Sequence, residues 1–411
     1  MDILDNQVYI GGVSACELAD QFGTPLFVIE EDSIRRQYRA LRENITHHPL
    51  VVHYACKANS NVQVMRVLRD EGAHIHACSP GDVHLALAAG YEPQQVSYTG
   101  YAVSEDELRL AITHGLLVQM DSLSQFERYA RLGGRGRVGV RLNSGVEAGY
   151  HPHFTSGGST DKFGIHPAQL EEALELATAH GLSIVGLHSN LGSDILEVDP
   201  FVDALQVVLE LADRCEDLEY VNLGGGLGVP FHPDDEPFDL AGYGRALGDH
   251  ISRWCDERGR ELTLCLEPGE FLVAEAGSLL TSVIDVKPAV QHGDTRSPTF
   301  VGTDTSCNHL FGAAVYGAYH HVLVADRAED PATERVYVCG NVMQTGDILA
   351  RDRVLPPLQE GDLLVFRTCG AYSMCRASRF NGRPLPAEVM VKDGRSRLIR
   401  ERETLDDLLS S

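Results

Sequence analysis

No run of about eighteen apolar residues occurs in the chain, so the sequence offers no candidate for a membrane-spanning helix. Basic residues are scarce: 34 lysines and arginines face 59 aspartates and glutamates, for a formal charge of −25. Nucleic acid, whose phosphates need a basic face, is therefore not an expected partner, and the charge fits solubility instead. The opening MDILDNQVYIGG lacks the basic region and apolar stretch of a secretory signal, which points to the cytoplasm. The ten cysteines include no CxxC pair, a pattern of reduced thiols rather than a disulfide framework. His74, His76 and Cys78 alternate as a strand does and have no second pair at ligand spacing, so no metal site is expected.

What is present is rhythm. At 411 residues the chain exceeds an ordinary single domain, and two are expected. LVVHYACKA, AHIHACS, VSYTG, LVQMD, RVGVRLN, SIVGLHSN, EYVNLGGG and LTLCLEPGE read as short apolar strands. Between them lie amphipathic helices such as VQVMRVLRDEG, PGDVHLALAAG, PAQLEEALELATAHG and VDALQVVLELADRCED. SEDELRLAITHG opens with Ser104 three residues before Glu107, a capping-box spacing. Such repetition means parallel strands with crossover helices. About eight units over residues 25–276 predict a closed (β/α)8 barrel, with an open doubly wound sheet as the alternative. Residues 277–411 change texture: SVIDVKPAVQ, PTFVGTD, ERVYVCGN, DLLVFRTCG and AEVMVKDG alternate between turns, which predicts a mainly antiparallel β-domain. Residues 1–24, through QVYIGG, are expected to add a strand to it.

The chemistry-bearing residues fall at the C-terminal ends of the barrel strands, where such barrels place their sites. Lys57 ends the first strand and would point into the mouth; a solvated surface lysine is the plain alternative. The glycine run GGGLG follows EYVNL and lets backbone N–H groups approach a phosphate. Its spacing is not GxGxxG, which weighs against a dinucleotide. Ser193 in HSNLGSD offers a hydroxyl to a phosphate oxygen, while His188 reads equally as a satisfied core histidine. Glu267 in LEPGE would pair with a protonated ring nitrogen, or merely cap the next segment. In the β-domain, Tyr372 of CGAY and the loop GNVMQTGD carry the remaining polar candidates.

Taken in order, YACKAN, RLNSGVEAGY, DKFGI, LHSNLGSDI, NLGGGLG, LEPGE, VYGAYHH, TGD and CGAY resemble the fold-III pyridoxal-phosphate decarboxylases, the diaminopimelate and ornithine decarboxylase family. The resemblance runs over nearly the whole chain. It implies an alanine-racemase-like barrel, a C-terminal β-domain, pyridoxal 5′-phosphate as cofactor, and a homodimer with sites at the interface. Lys57 matches the Schiff-base lysine, Gly225, Gly226 and Ser193 the phosphate loop, and Glu267 with Gly269 the LEPGE segment at the pyridine nitrogen. Tyr372 matches a tyrosine near the phosphate and Tyr316 one lining the substrate pocket.

The departures from the family pattern carry their own expectation. Asn190 replaces a histidine that stacks on the cofactor. Met343 and Gln344 replace a cysteine and a glutamate placed across the interface. Glu270 and Gly312 stand where arginines are expected. A distal carboxylate needs donors such as arginine, so the changes predict a substrate other than meso-diaminopimelate, one with a neutral or cationic end facing Glu270, Gln344 or Asp347, in specialised-metabolite biosynthesis. A thioether donates no proton, so Met343 needs a replacement donor: Lys57, Tyr372, water, Cys375 or Cys307. A racemase on the same fold and a non-catalytic binding homologue are the alternatives to decarboxylation.

Overall fold

The computed structural model describes residues 1–146, 148–149, 158 and 161–410; Glu147 and Tyr150 of the RLNSGVEAGY motif lie outside them. Two compact units divide the chain. One is Arg35–Val229 with Glu236–Leu272; the other is Met1–Ile34 with Pro230–Asp235 and Val273–Ser411.

The first unit holds a closed barrel of eight strands among the described residues: β1 Leu50–Ala55, β2 His74–Ala77, β3 Val96–Tyr98, β4 Leu117–Met120, β5 Gly136–Arg141, β6 Leu182–His188, β7 Tyr220–Asn222 and β8 Thr263–Leu266. Every neighbouring pair is parallel, and β8 closes on β1 with Leu264 opposite Leu50. Closure excludes the open doubly wound sheet. All eight strands are the ones the apolar runs predict, because a strand covered on both faces needs a near-continuous apolar sequence. The interior is not wholly apolar. Gln119 on β4 donates to Ser97 on β3 at 3.1 Å and to the Tyr220 hydroxyl on β7 at 2.8 Å, so its buried amide is satisfied across the barrel.

Helix ends are fixed by local chemistry. Ser104 accepts from Glu107 N at 3.3 Å, and the Glu107 carboxylate accepts from Ser104 N at 2.7 Å, the capping box expected from the spacing. The helix Pro80–Ala88 is capped by Ser79, which accepts from Asp82 N at 3.1 Å, and Pro80 sits in the first turn where its missing N–H costs nothing. The Asp82 carboxylate reaches back to Cys78 N at 2.9 Å. That pair of bonds fixes the segment leaving β2.

The second unit is built on a nine-stranded sheet among the described residues. Its centre is Gly277–Lys287, flanked antiparallel by Leu26–Glu30, Thr299–Thr303 and Leu363–Phe366. LFVIE therefore belongs here and not to the barrel, and the boundary falls after Ile34 rather than at residue 25. Its almost unbroken burial suits a central strand, paired on its other edge in parallel with Ala387–Lys392. QVYIGG does not join that sheet. Gln7–Ile10 pairs with Asp2–Leu4 and Val13–Ser14 in a small sheet of its own, and Val8 and Ile10 pack on Leu26, Val365 and Val389. None of the ten cysteines is in a disulfide.

Candidate active site

Lys57 lies in the 3-10 turn Cys56–Ala58 that follows β1. Cys56 and Ala58 are buried and the lysine side chain is exposed. The turn is held from two sides: the Tyr54 hydroxyl donates to the Asn59 carbonyl at 2.8 Å, and Ala55 N donates to the Pro268 carbonyl at 3.1 Å. The amine thus stands at the C-terminal mouth, beside the segment that carries Glu267.

Glu267 follows β8 and is buried at 4% exposure, which requires partners for its charge. Three strands supply them. Asn222, ending β7, donates its amide to Oε1 at 2.7 Å. His188, ending β6, stands 3.0 Å from Oε2 through Nε2. His76 on β2 places Nδ1 2.9 Å from Oε1, a close ion-pair distance without in-line hydrogen-bond geometry. Burial opposes ionisation of Glu267, but the His76 charge, with the hydrogen bond from His188, outweighs it and holds the carboxyl well below its ordinary value. For His76 burial acts downward, yet Glu267 and Cys78 push its imidazole up to about 10. His188 is lowered by burial, so it pairs as the neutral ring with its proton assigned to Nε2. His188 is a buried histidine whose polar partner is the Glu267 carboxylate. His76 and Asn222 are site residues that sequence reasoning missed; the only signals were strand alternation in HIHAC and an asparagine directly before the glycine run.

The glycine run packs against this carboxylate segment. A Cβ on Gly225 would lie 2.3 Å from the Glu267 carbonyl oxygen, a distance no real side chain tolerates. Gly226 adopts φ +100°, a left-handed conformation that L side chains rarely take. Ile195 N donates to Gly226 O, and Gly228 N to Ile195 O, both at 2.9 Å, which draws the loop bearing Ser193 alongside. The Asn190 side-chain oxygen accepts from Gly225 N at 3.2 Å, so Asn190 is engaged with the glycine run rather than left as a truncated stacking group. Gly269 sits against Ala55, just before the lysine turn, and Ala58, its last residue.

Glu270 begins a short helix at the same strand end. Its carboxyl is desolvated and lies near the Asp194 charge, which together push it up to about 8. At neutral pH it is mostly the uncharged acid.

The remaining candidates are in the other unit. Tyr372 has a left-handed backbone at φ 53°. Tyr316 is half-buried with its ring edge-on to Phe311 at 5.7 Å, and Arg376 lies over both rings. Gln344 is exposed and Met343 is 92% exposed. Asp347, expected as a weaker substrate contact, is instead buried and accepts from Cys307 N at 2.6 Å and Val342 N at 3.0 Å, fixing its own loop.

A free amine, a carboxylate held ionised by buried histidines, and a glycine cradle that a single Cβ would fill form a set that fits pyridoxal phosphate. Among the described residues no cluster of histidine, cysteine and carboxylate could hold a metal.

The comparisons agree with this chemistry. Residues 31–274 match the family model described as the pyridoxal-binding domain of the pyridoxal-dependent decarboxylases. The chain is 41% identical to the diaminopimelate decarboxylase of Methanothermobacter thermautotrophicus, over 97% of this chain and 94% of that protein. It is 36% identical to that of Pseudomonas aeruginosa, over 98% and 96%. The crystal structure of the M. jannaschii diaminopimelate decarboxylase in complex with L-lysine superposes with a TM-score of 0.91 at 29% identity, covering all of this chain and 96% of that one. These relatives overturn the expectation of a substrate other than meso-diaminopimelate. Of its two grounds, the arginine missing at Gly312 and the charge at Glu270, the second fails: the desolvated Glu270 acid is not a fixed negative charge at neutral pH. Fold, residue cradle and full-length similarity agree: the chain belongs to the pyridoxal-dependent decarboxylases and is a carboxy-lyase.

Proposed function

We propose that this chain removes one carboxyl group from meso-diaminopimelate to give L-lysine and CO₂. The observation that carries the reading is the 41% identity over 97% of the chain to a protein named for that activity. Racemisation and a purely binding role have no such support.

Lys57, Glu267, the glycine run and Ser193 are proposed to hold pyridoxal phosphate. When bound, that group supplies an aldehyde for amine exchange and a cationic ring that withdraws electrons from a bond at the substrate's α-carbon. Lys57 Nζ is the amine at the mouth. Glu267 presents a carboxylate kept ionised by His76 and His188, the state that retains a proton on a facing pyridine nitrogen. Gly225 and Gly226 bring backbone close to where a phosphate would sit, and Ser193 is on the loop that bonds to them through Ile195. Glu270, as the neutral acid, would donate to the distal carboxylate rather than repel it. Tyr372, Tyr316, Met343 and Gln344 are proposed to complete the site in a homodimer, which sedimentation at twice the chain mass would support.

The test is incubation of purified protein with meso-diaminopimelate and pyridoxal phosphate, read by mass spectrometry for lysine and CO₂. Wild type is expected to convert it and to carry a visible chromophore. Lys57→Ala is expected to lose both. A colourless wild type that leaves diaminopimelate intact would sink the reading.

A further inference from the structure

Decarboxylation replaces a C–C bond by a C–H bond and therefore consumes a proton at the α-carbon. Of the donors expected in place of the Met343 thioether, the two cysteines are poorly suited. Cys307 and Cys375 lie in the other unit with thiols pushed up to about 11, mainly by burial. One sulfur in the barrel differs. β1 and β2 pair with Ala55 opposite His76, so Lys57 and Cys78, each two residues further on, leave adjacent strand ends side by side. Cys78 Sγ is 3.1 Å from His76 Nε2, and the other nitrogen of that ring faces Glu267. Cys78 N is fixed by Asp82, and the thiol immediately precedes the capped N-terminus of Pro80–Ala88, whose dipole favours negative charge there. Cys78 is partly exposed, as a group that meets a substrate must be.

We propose that Cys78 and His76 form a thiol–imidazole acid–base pair beside Lys57 that delivers the proton the decarboxylation consumes. The electron pair left on the α-carbon as CO₂ departs takes the proton from Cys78 Sγ: S–H breaks and C–H forms. His76 Nε2–H then returns a proton to sulfur, and water restores the imidazolium. One CO₂ leaves and one solvent proton enters.

The charges facing the pair support it. Burial raises the Cys78 thiol, but His76 and, more weakly, Lys57 outweigh burial and the Asp82 charge, and the net shift is downward. The other nine cysteines all shift upward. Only Cys78 combines a lowered thiol, an imidazole partner and a place at the barrel mouth.

The proposal rests on the decarboxylase reading, and its test separates the two. The purified full-length protein, stripped of cofactor, is alkylated with iodoacetamide across a pH series, and each cysteine is followed by mass spectrometry. At pH 7 Cys78 is expected to react about tenfold or more faster than Cys375, whose thiol is raised. His76→Gln is expected to abolish that advantage. Equal rates for the two cysteines, or an unchanged Cys78 rate in His76→Gln, overturns the pair. In turnover, Cys78→Ser is expected to lower kcat about a hundredfold, with little change in KM and the visible chromophore retained. Full kcat in that variant overturns the proton-delivery role. A wild type that releases no CO₂ from meso-diaminopimelate fails the substrate reading, and the alkylation series then decides the pair by itself.

Discussion

At the scale of single residues, Glu270 shows why charge read from a sequence can mislead. A glutamate in place of an arginine looks like a charge reversal, but ionisation depends on solvent, and this carboxyl is desolvated with Asp194 nearby. In the proposed site it would donate a hydrogen bond to a substrate carboxylate below about pH 8 and repel one above it. kcat/KM for meso-diaminopimelate is therefore expected to fall as pH rises through about 8, and Glu270→Gln to remove that limb. An identical alkaline limb in the variant would assign it to another group. His76 carries a second pH signature. Its imidazole is raised to about 10, so the stability it contributes is full below the ordinary histidine value and is lost as pH rises through about 10. Urea midpoints of the wild type are expected to decline between pH 7 and 10. Glu267→Gln should flatten that decline and cost about 3–5 kcal/mol at pH 7, because it leaves a buried cation without its partner.

At the scale of elements, the glycine run after β7 and the loop after β6 act as one device. Asn190, Gly225 and the pair Ile195–Gly226 tie them together, so each loop limits the conformations of the other. Gly225→Ala would drive a methyl into the Glu267 backbone, and the segment must shift. The expected loss is about 1–3 kcal/mol of stability, together with weaker retention of pyridoxal phosphate. Denaturant midpoints and a cofactor titration check both, and unchanged values would mean that the cradle yields freely. The expected motif match at Asn190 missed this because an asparagine at a stacking position reads as a loss. Its carbonyl oxygen becomes useful only once the glycine run is folded beside it.

At the scale of the whole molecule, the units can be followed separately. The single tryptophan, Trp254, lies in the barrel unit, 5% exposed, with Nε1 donating to Leu209 O at 3.1 Å and Arg258 and Arg260 over its ring. Its emission reports on the barrel alone. Since Lys57 and Glu267 are on the same barrel, loss of the bound chromophore in urea is expected to coincide with the red shift of Trp254. A chromophore lost well before that shift would place the decisive cofactor contacts outside the barrel.

The sequence by itself determined the barrel strands, the β-domain, the capping box at Ser104 and the family, because apolar runs, cap spacing and motif order are local properties that survive without coordinates. It also singled out Lys57, Glu267 and the glycine run. Tertiary structure alone decided which groups surround Glu267, since His76, His188 and Asn222 are far apart in the chain and meet only when the barrel closes. It moved LFVIE out of the barrel, because pairing partners more than two hundred residues away fix that strand. It also decided protonation: the neutral acid at Glu270 and the lowered thiol at Cys78 follow from desolvation and neighbouring charge, which no single residue letter encodes.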